Sequence, residues 1–473
     1  MRFFVLFLIL LSAFTTFGQS GRTAVAEVPK VGVAAVTKPT VKQMFDEVNG
    51  YIRTKGAEFD AKKVFFSERL FTQTQLEQRQ LAARHAATAA LRKDLAGDDF
   101  YYFGMLHWIA ENWDGTVDAL RKFFSADGGE TVRRQTARSI TVVVLAKQKK
   151  LDEAETLIAE YLKTEPTKLT ERARMEGELA KAYQAQKAFT KMAPHAEESY
   201  SAAKALLKNT DSRARGLDEI LDAGMLVYEA YRDSGELQKA EAALDDMRTV
   251  AIETTSPSFY YYAVDQKIKY LIETDRKQAA TEVFKNALAG LDKNFLDKGQ
   301  RADVLMRLKK RERQYELLGS TAPDFMAIDQ TWFPGKARTL ADMRGKVVLL
   351  DFWATWCGPC FEAFPSLIEW QQDFKADGFE ILGITRFYGA ESTPLVDNIS
   401  EIATLKHFRE REKLPYDFVV GKDISAQMLY GASALPTAVL IDRKGVVRYI
   451  ETGTSPTRLE QMREMIVKLL AEK

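Results

Sequence analysis

The chain has 473 residues, which is too long for one compact hydrophobic core and predicts at least two domains. Hydrophobic residues make up 46% and charged residues 28%, as in ordinary globular proteins. The 67 Lys and Arg residues balance 66 Asp and Glu residues. This balance gives no net attraction to nucleic acid or to an anionic membrane, and we expect no nucleic-acid partner.

The N-terminal segment has the pattern of a secretory signal peptide. Arg2 precedes an apolar run over residues 3–14, and small and polar residues follow that run. A retained membrane anchor is the alternative, but the run is shorter than the roughly 20 apolar residues that a spanning helix needs. We therefore predict a signal peptide over residues 1–18 and an exported, periplasmic protein. No cysteine lies near the cleavage point at Gly18, so we do not expect a lipoprotein.

Residues 19–40 are rich in Ala, Val, Thr and Gly, with interruptions at Pro29 and Pro39, and no period persists. This composition predicts a linker.

Residues 41–315 have the composition of an all-α region, because Ala, Leu, Glu, Lys and Gln abound and strand patterns are nearly absent. A small residue recurs there with apolar residues four and seven positions later, at spacings of 38 to 44 residues. Such a period is typical of stacked helical hairpins, as in a solenoid. The five instances are Thr116, Leu120, Phe123; Ala154, Ile158, Tyr161; Ala196, Tyr200, Ala203; Ala240, Leu244, Met247; and Ala280, Phe284, Ala287.

The positions of Gly104, Pro166, Tyr231 and Gly235 resemble those of tetratricopeptide repeats, although the ideal period of that family is shorter. The alternative is an irregular helical domain, in which small and large residues alternate only because helix packing requires it.

The pattern changes near Gly319. An apolar run over residues 347–352 predicts a buried strand, a helical stretch follows to about residue 376, and a second apolar run covers residues 379–384. This is a βαβ unit, with the pair Cys357 and Cys360 at the turn from strand to helix.

Cys357 and Cys360 are the only cysteines of the chain. A disulfide between residues so close together closes almost no loop and restricts the unfolded chain little, so reactivity is the better reason for this pair. The alternative is half of a zinc site, which needs four ligands. The remaining candidate ligands are the four histidines, His85, His107, His195 and His407. They do not stand at motif spacing, so we expect neither a metal nor a cofactor.

Residues 351–360 resemble the active-site segment of the thioredoxin superfamily, including Trp353, Trp356 and both cysteines. Pro365 matches the family's helix proline, and residues 435–437 match its cis-proline segment. Residues 322–325 and 384–389 resemble the exported TlpA-like branch. The resemblance covers residues 319–473 and implies a C-terminal α/β thioredoxin-like domain behind the helical region.

Disulfide exchange requires a thiolate that attacks and a second thiol that resolves the mixed disulfide. Cys357 stands where a helix begins, and the helix dipole favours its anion, so we predict that Cys357 attacks and Cys360 resolves. Asp351 lies in an apolar strand, where burial raises the pKa of a carboxyl group, and it is the predicted proton acceptor for Cys360. The alternative for Asp351 is a polar residue at a strand end that faces water.

The resemblance also implies which residues contact the substrate. These are Trp356, Gly358, Pro359, Leu435 and Pro436. A cis peptide bond at Pro436 would turn the backbone of Leu435 towards the sulfurs, where an extended substrate segment can pair with it. The alternative is a trans-proline that caps a strand.

The predicted function is therefore an exported thiol:disulfide oxidoreductase. Gly358 and Pro359 resemble the residues of reducing thioredoxins, and this resemblance implies a reductase of protein disulfides. Outside the cytoplasm, such a reductase needs a membrane-bound electron donor. The helical region is predicted to bind a protein partner. The alternative is a helical-repeat scaffold, in which the thioredoxin module only senses redox state.

Overall fold

The computed structural model describes residues 38–65, 67–126, 129–208, 210–324, 330–389 and 396–472. The predicted signal peptide and nearly all of the predicted linker lie outside the described residues. The described residues form two compact units, divided between residues 243 and 244.

The described part of the first unit is helical. Neighbouring helices pair in chain order: α3 packs on α4, α5 on α6, α7 on α8, and α8 on α9. The helices are α1 (Val41–Ala61), α2 (Glu68–Ala90), α3 (Asp98–Ile109), α4 (Trp113–Ser125), α5 (Thr131–Lys147), α6 (Leu151–Leu162), α7 (Leu169–Ala185), α8 (Phe189–Leu207) and α9 (Arg213–Asp233). Helix α10 (Leu237–Glu253) continues across the boundary between the two units.

Local chemistry explains where these helices begin and how closely they pack. The hydroxyl of Thr40 accepts a hydrogen bond from the backbone of Gln43, whose side chain bonds back, and this capping box begins α1. Gly104 allows α3 to approach α4, because a Cβ there would lie 2.6 Å from a methyl group of Leu120. The residues of the five predicted repeat instances are buried, except Phe284, which is half-buried. Membership of a repeat family stays a prediction.

In the described residues of the second unit, four further helices precede a mixed sheet. The helices are α11 (Pro257–Glu273), α12 (Lys277–Ala289), α13 (Leu291–Asn294) and α14 (Lys298–Leu317). The predicted helical domain, residues 41–315, extends past the division between the units, and its residues 244–315 lie in the compact unit that contains the sheet.

The strands of the sheet lie in the order β1-β4-β3-β2-β5-β6. Strands β2, β3 and β4 are parallel, while β1, β5 and β6 are antiparallel to their neighbours. The strands are β1 (Gln330–Phe333), β2 (Val347–Phe352), β3 (Phe379–Arg386), β4 (Asp417–Gly421), β5 (Thr437–Ile441) and β6 (Val447–Thr452). The helices among them are α15 (Gly358–Phe374), α16 (Asn398–Arg411), α17 (Ser425–Leu429) and α18 (Pro456–Ala471).

The predicted βαβ unit is confirmed. All six residues of β2 are buried, as a strand in the middle of a sheet requires. The predicted second strand is found as β3, two residues longer than expected. Pro365 lies inside α15. None of the described helices is long and apolar enough to cross a membrane.

Candidate active site

The two cysteines form a disulfide at the beginning of α15. Cys357 is the N-cap residue of this helix, and Cys360 lies in its first turn. Free backbone amides and the helix dipole meet at this end of the helix, and they stabilise a thiolate at Cys357 when the disulfide is reduced.

The disulfide is almost fully buried, although disulfide exchange requires access to a sulfur atom. Cys357 is 3% exposed and Cys360 is 1% exposed. Both belong to an apolar cluster with Trp353 and Phe364, which explains the burial. The residues beside them on the surface are open, and Trp356 is 64% exposed.

The two tryptophans of the motif have different surroundings. Trp353 is fully buried and stacks on Phe408, with the ring centroids 5.1 Å apart. Trp356 lies on the surface and makes an edge contact with Tyr388 at 5.5 Å. The backbone amides of Tyr388 and Gly389 both donate to the Glu401 carboxylate at 2.7 Å, which fixes the loop that carries Tyr388. Trp353 therefore packs in the interior, within the apolar cluster that contains the disulfide, and Trp356 lies on the surface beside the disulfide.

Asp351 lies in β2, and the alternation of side chains places it on the same face as Leu349 and Trp353, which belong to the apolar cluster of the cysteines. Its side chain is 4% exposed, and its Oδ2 makes no hydrogen bond with any residue that the structure describes. Burial raises the pKa of Asp351 to about 7. The alternative of a water-facing residue at a strand end is wrong, because β2 is covered along its whole length.

Space next to Asp351 comes from a glycine in the adjacent strand. Gly383 is the cross-strand partner of Asp351, and a Cβ at Gly383 would lie 3.0 Å from Trp353 Nε1 and 3.2 Å from the ring of Tyr416. Trp353 Nε1 and the Tyr416 hydroxyl are buried and, like Asp351 Oδ2, have no hydrogen-bond partner among the described residues. Burial and then the charge of Asp351 raise the pKa of Tyr416 well above its usual value. Tyr416 and Asp351 are thus close enough to interact electrostatically, although no hydrogen bond joins them.

The loop before β5 completes the site. The peptide bond between Leu435 and Pro436 is cis, as the thioredoxin resemblance implies, so the trans alternative is wrong. Leu435 packs against the apolar cluster that contains both cysteines, and Pro436 is buried. Gly358 and Pro359 are exposed beside the disulfide. The predicted site residues therefore lie around the C-terminal end of β2 and the neighbouring start of β5.

Sequence reasoning missed Tyr416, Gly383 and Tyr388. A glycine inside a strand pattern is a sign of close approach, and this signal could have found Gly383. Tyr416 and Tyr388 carry no local signal, because their importance arises only from the sheet order. Among the described residues, no group of three or more His, Cys, Asp or Glu side chains is arranged to hold a metal ion.

A buried disulfide at a helix N-terminus, beside a cis-proline and a central parallel pair of strands, is the arrangement of a thioredoxin-like fold. Residues 318–450 match the model of the AhpC/TSA family.

The chain is similar to thiol-disulfide oxidoreductases named ResA. It is 35% identical to the ResA of Geobacillus thermodenitrificans over 144 residues, which are 30% of this chain and 74% of that protein. It is 34% identical to the ResA of Bacillus subtilis over 29% of this chain and 68% of that protein. The chain is also similar to a crystal structure described as a putative thiol:disulfide interchange protein DsbE from Chlorobium tepidum. The two are 32% identical, the match covers 32% of this chain and 97% of that protein, and the TM-score is 0.26.

The chain belongs to the ResA-like family of thiol-disulfide oxidoreductases, within the thioredoxin superfamily. It is an enzyme of thiol-disulfide exchange.

Proposed function

We propose that this chain is an exported reductase of protein disulfides that acts through the Cys357–Cys360 dithiol. The observation that supports this most is the combination at one site of a disulfide at the start of α15 and a buried carboxyl group with a raised pKa, Asp351. A dithiol needs a stabilised thiolate to attack and a proton acceptor to activate the second thiol, and these two features meet those needs.

The proposed reaction has two steps. The Cys357 thiolate attacks one sulfur of the substrate disulfide, which forms a mixed disulfide and releases the first substrate sulfur as a thiolate. Cys360 then passes its proton to the Asp351 carboxylate and attacks the Cys357 sulfur, which closes the intramolecular disulfide and releases the second substrate thiolate. Two electrons pass from the dithiol to the substrate.

An extended substrate segment would bind beside the disulfide. In this proposal, the backbone of Leu435 pairs with the substrate chain, and the exposed Trp356, Gly358 and Pro359 border it. The packing of Leu435 against the cluster of the cysteines supports this. Main-chain hydrogen bonds do not depend on the identity of the substrate side chains, so the proposed substrates are flexible protein segments that contain a disulfide.

The proposed cellular context follows from the sequence. A signal peptide over residues 1–18 would export the chain to the periplasm, and a linker over residues 19–40 would join it to the folded part. We propose that a membrane-bound protein returns two electrons to the oxidised Cys357–Cys360 pair after each turnover. The chain would need neither a metal nor another cofactor, since the electrons travel on sulfur.

We propose that the helical region, residues 41–315, binds a protein partner, and that the thioredoxin-like domain, residues 319–473, performs the exchange. The described residues up to 243 form a compact unit, which supports a separate binding role for that part. Removal of residues 41–243 should leave reduction of a model disulfide peptide intact and change which proteins are captured.

Replacement of Cys360 by Ser tests the order of the two steps. Cys357 would still attack, but nothing would release the substrate, so stable mixed disulfides should accumulate in the exported fraction on nonreducing gels. Cys357→Ser is the matched control and should form almost no adducts. More adducts with Cys357→Ser than with Cys360→Ser would reverse the assigned roles.

A further inference from the structure

The last turn of α14 contacts the loop that leads to Leu435. Gln314 is 3% exposed, although it lies at the end of a long polar helix. Its Nε2 donates to the carbonyl oxygen of Gly431 at 2.9 Å and to the hydroxyl of Thr452 at 3.3 Å. Its Oε1 accepts a hydrogen bond from Arg311 Nη1. Since an arginine can only donate, this contact fixes which end of the amide faces the loop.

A chain of hydrogen bonds leads from Gln314 to the loop, and each group in it donates to the next. The Thr437 hydroxyl donates to the carbonyl oxygen of Ala434 at 2.7 Å, so its single proton is used there. The hydroxyls of Thr437 and Thr452 are 3.1 Å apart, and Thr452 must therefore be the donor. Thr452 in turn accepts from Gln314. The amide of Gln314 thus reaches the carbonyl directly before Leu435 through two hydroxyl groups.

The other end of the loop is also held by α14. Arg313 Nε donates to the carbonyl oxygen of Leu429, the last residue of α17, at 3.0 Å. Gly431 has a φ of +64°, and a Cβ there would lie 3.1 Å from side-chain carbons of both Arg313 and Gln314. The helix therefore packs directly on the loop backbone, and residues 429–437 are fixed at both ends by one helical turn.

We propose that Gln314 is a positioning residue for substrate binding. It holds the Leu435 backbone at the place where an extended, disulfide-containing substrate segment pairs with that backbone. This inference rests on the proposed function, since it assigns a role within the same site. Gln314 touches neither cysteine, so it acts on binding of the peptide backbone and not on the sulfur chemistry. It also makes the helical segment around α14 part of substrate recognition.

A residue that holds a binding edge affects the ground state and the transition state equally, so its loss raises the half-saturating concentration and leaves the limiting rate unchanged. The variant Gln314→Leu removes both donated hydrogen bonds. Gln300→Leu is the matched control, because Gln300 lies in the same helix and donates to the carbonyl of Thr255, away from the loop. Thr452→Val and Thr452→Ser form a second pair, which removes or keeps the hydroxyl that relays the contact.

The experiment uses the reduced full-length protein in single-turnover reactions with two probes. One is a synthetic extended peptide with one disulfide, and the other is hydroxyethyl disulfide, which has no peptide backbone. For Gln314→Leu and Thr452→Val we expect the half-saturating peptide concentration to rise about fivefold to tenfold, as for the loss of a buried hydrogen bond. Reaction with hydroxyethyl disulfide, and the reduction potential of the cysteines, should stay at the wild-type values for every variant.

Wild-type saturation by the peptide in Gln314→Leu would overturn the positioning role, and so would an equal change in Gln300→Leu. A parallel loss with both probes would also overturn it, because that result describes general destabilisation of the unit. Rescue of peptide binding in Thr452→Ser, but not in Thr452→Val, would support the relay. Failure of the proposed function gives a different result, in which the wild-type protein itself reduces neither probe.

Discussion

Two buried aspartates in the unit of residues 244–473 have opposite surroundings. Asp265, in α11, is 3% exposed and lies 3.0 Å from the ammonium group of Lys269 and 2.7 Å from the hydroxyl of Tyr315. Arg311 lies 3.9 Å away, and the same two cations also face Glu451 of β6. Asp351, in β2, is as deeply buried but has no ion-pair partner among the residues that the structure describes.

The difference appears in the pKa values. Burial alone would raise the pKa of Asp265, but Lys269, Arg311 and the hydrogen bond from Tyr315 outweigh burial, and its pKa is lowered. For Asp351 nothing opposes burial, and its pKa rises to about 7. A buried carboxyl group surrounded by cations keeps its charge and joins two parts of a fold. A buried carboxyl group without cations exchanges a proton near neutral pH, which is what a resolving thiol requires.

The same substitution at the two sites should have opposite effects, and the larger is at Asp265. Asp265→Asn leaves Lys269 and Arg311 buried with one carboxylate instead of two, and removing one member of a buried ion pair costs about 3–5 kcal/mol. We expect a lower free energy of unfolding by that amount in denaturant titrations at pH 7. A change below about 1 kcal/mol would mean that the cluster is solvated and would remove the contrast with Asp351.

Asp351→Asn should stabilise the oxidised protein above neutral pH. The folded pKa of about 7 lies above the unfolded value of about 3.8, so the native state holds the extra proton between these values and stability falls as pH rises through that window. The fall amounts to about 4 kcal/mol in total, of which about 3 kcal/mol comes between pH 5 and pH 8. The Asn variant should lose this dependence, so its stability relative to the wild type should increase by about 3 kcal/mol between pH 5 and pH 8. Identical slopes for both proteins would contradict the burial of an uncompensated carboxyl group.

The two tyrosines near these aspartates provide the smallest and most closely matched comparison. Tyr315→Phe removes a hydrogen bond to a buried carboxylate and should cost about 2 kcal/mol. Tyr416→Phe removes a buried hydroxyl that has no hydrogen-bond partner among the described residues, and should change stability by less than about 0.5 kcal/mol. Equal costs in chemical unfolding would show that Tyr416 is bonded in solution as Tyr315 is.

Much of the site could be predicted because its residues are close in sequence. The apolar run that became β2 and the cysteine pair that follows it are local patterns, and the burial of Asp351 follows from its place in that run. Tyr416 could not be predicted, since it reaches Asp351 only when β4 takes its place beside β3. Strand β1 has four residues, too few for a periodic signal.

The interaction of α14 with the sheet unit could not be predicted either. Gln314 and Gly431 are 117 positions apart, and a glutamine in a charged helix gives no sign that it is buried. A change of composition near Gly319 indicated a boundary there, whereas the packing makes α14 part of the same unit as the sheet. Composition reports the type of local structure and not which elements pack together.

The most direct test is the rate at which Cys360 resolves a preformed mixed disulfide between Cys357 and a peptide, measured after a rapid change of pH. We expect the wild-type rate to rise with pH through the range around 7 in which Asp351 loses its proton. Asp351→Asn should lack this rise and resolve the disulfide at least about a hundredfold more slowly at pH 7, the size of a lost proton acceptor. Equal rates and equal pH profiles in the two proteins would contradict the assignment of Asp351 as the proton acceptor.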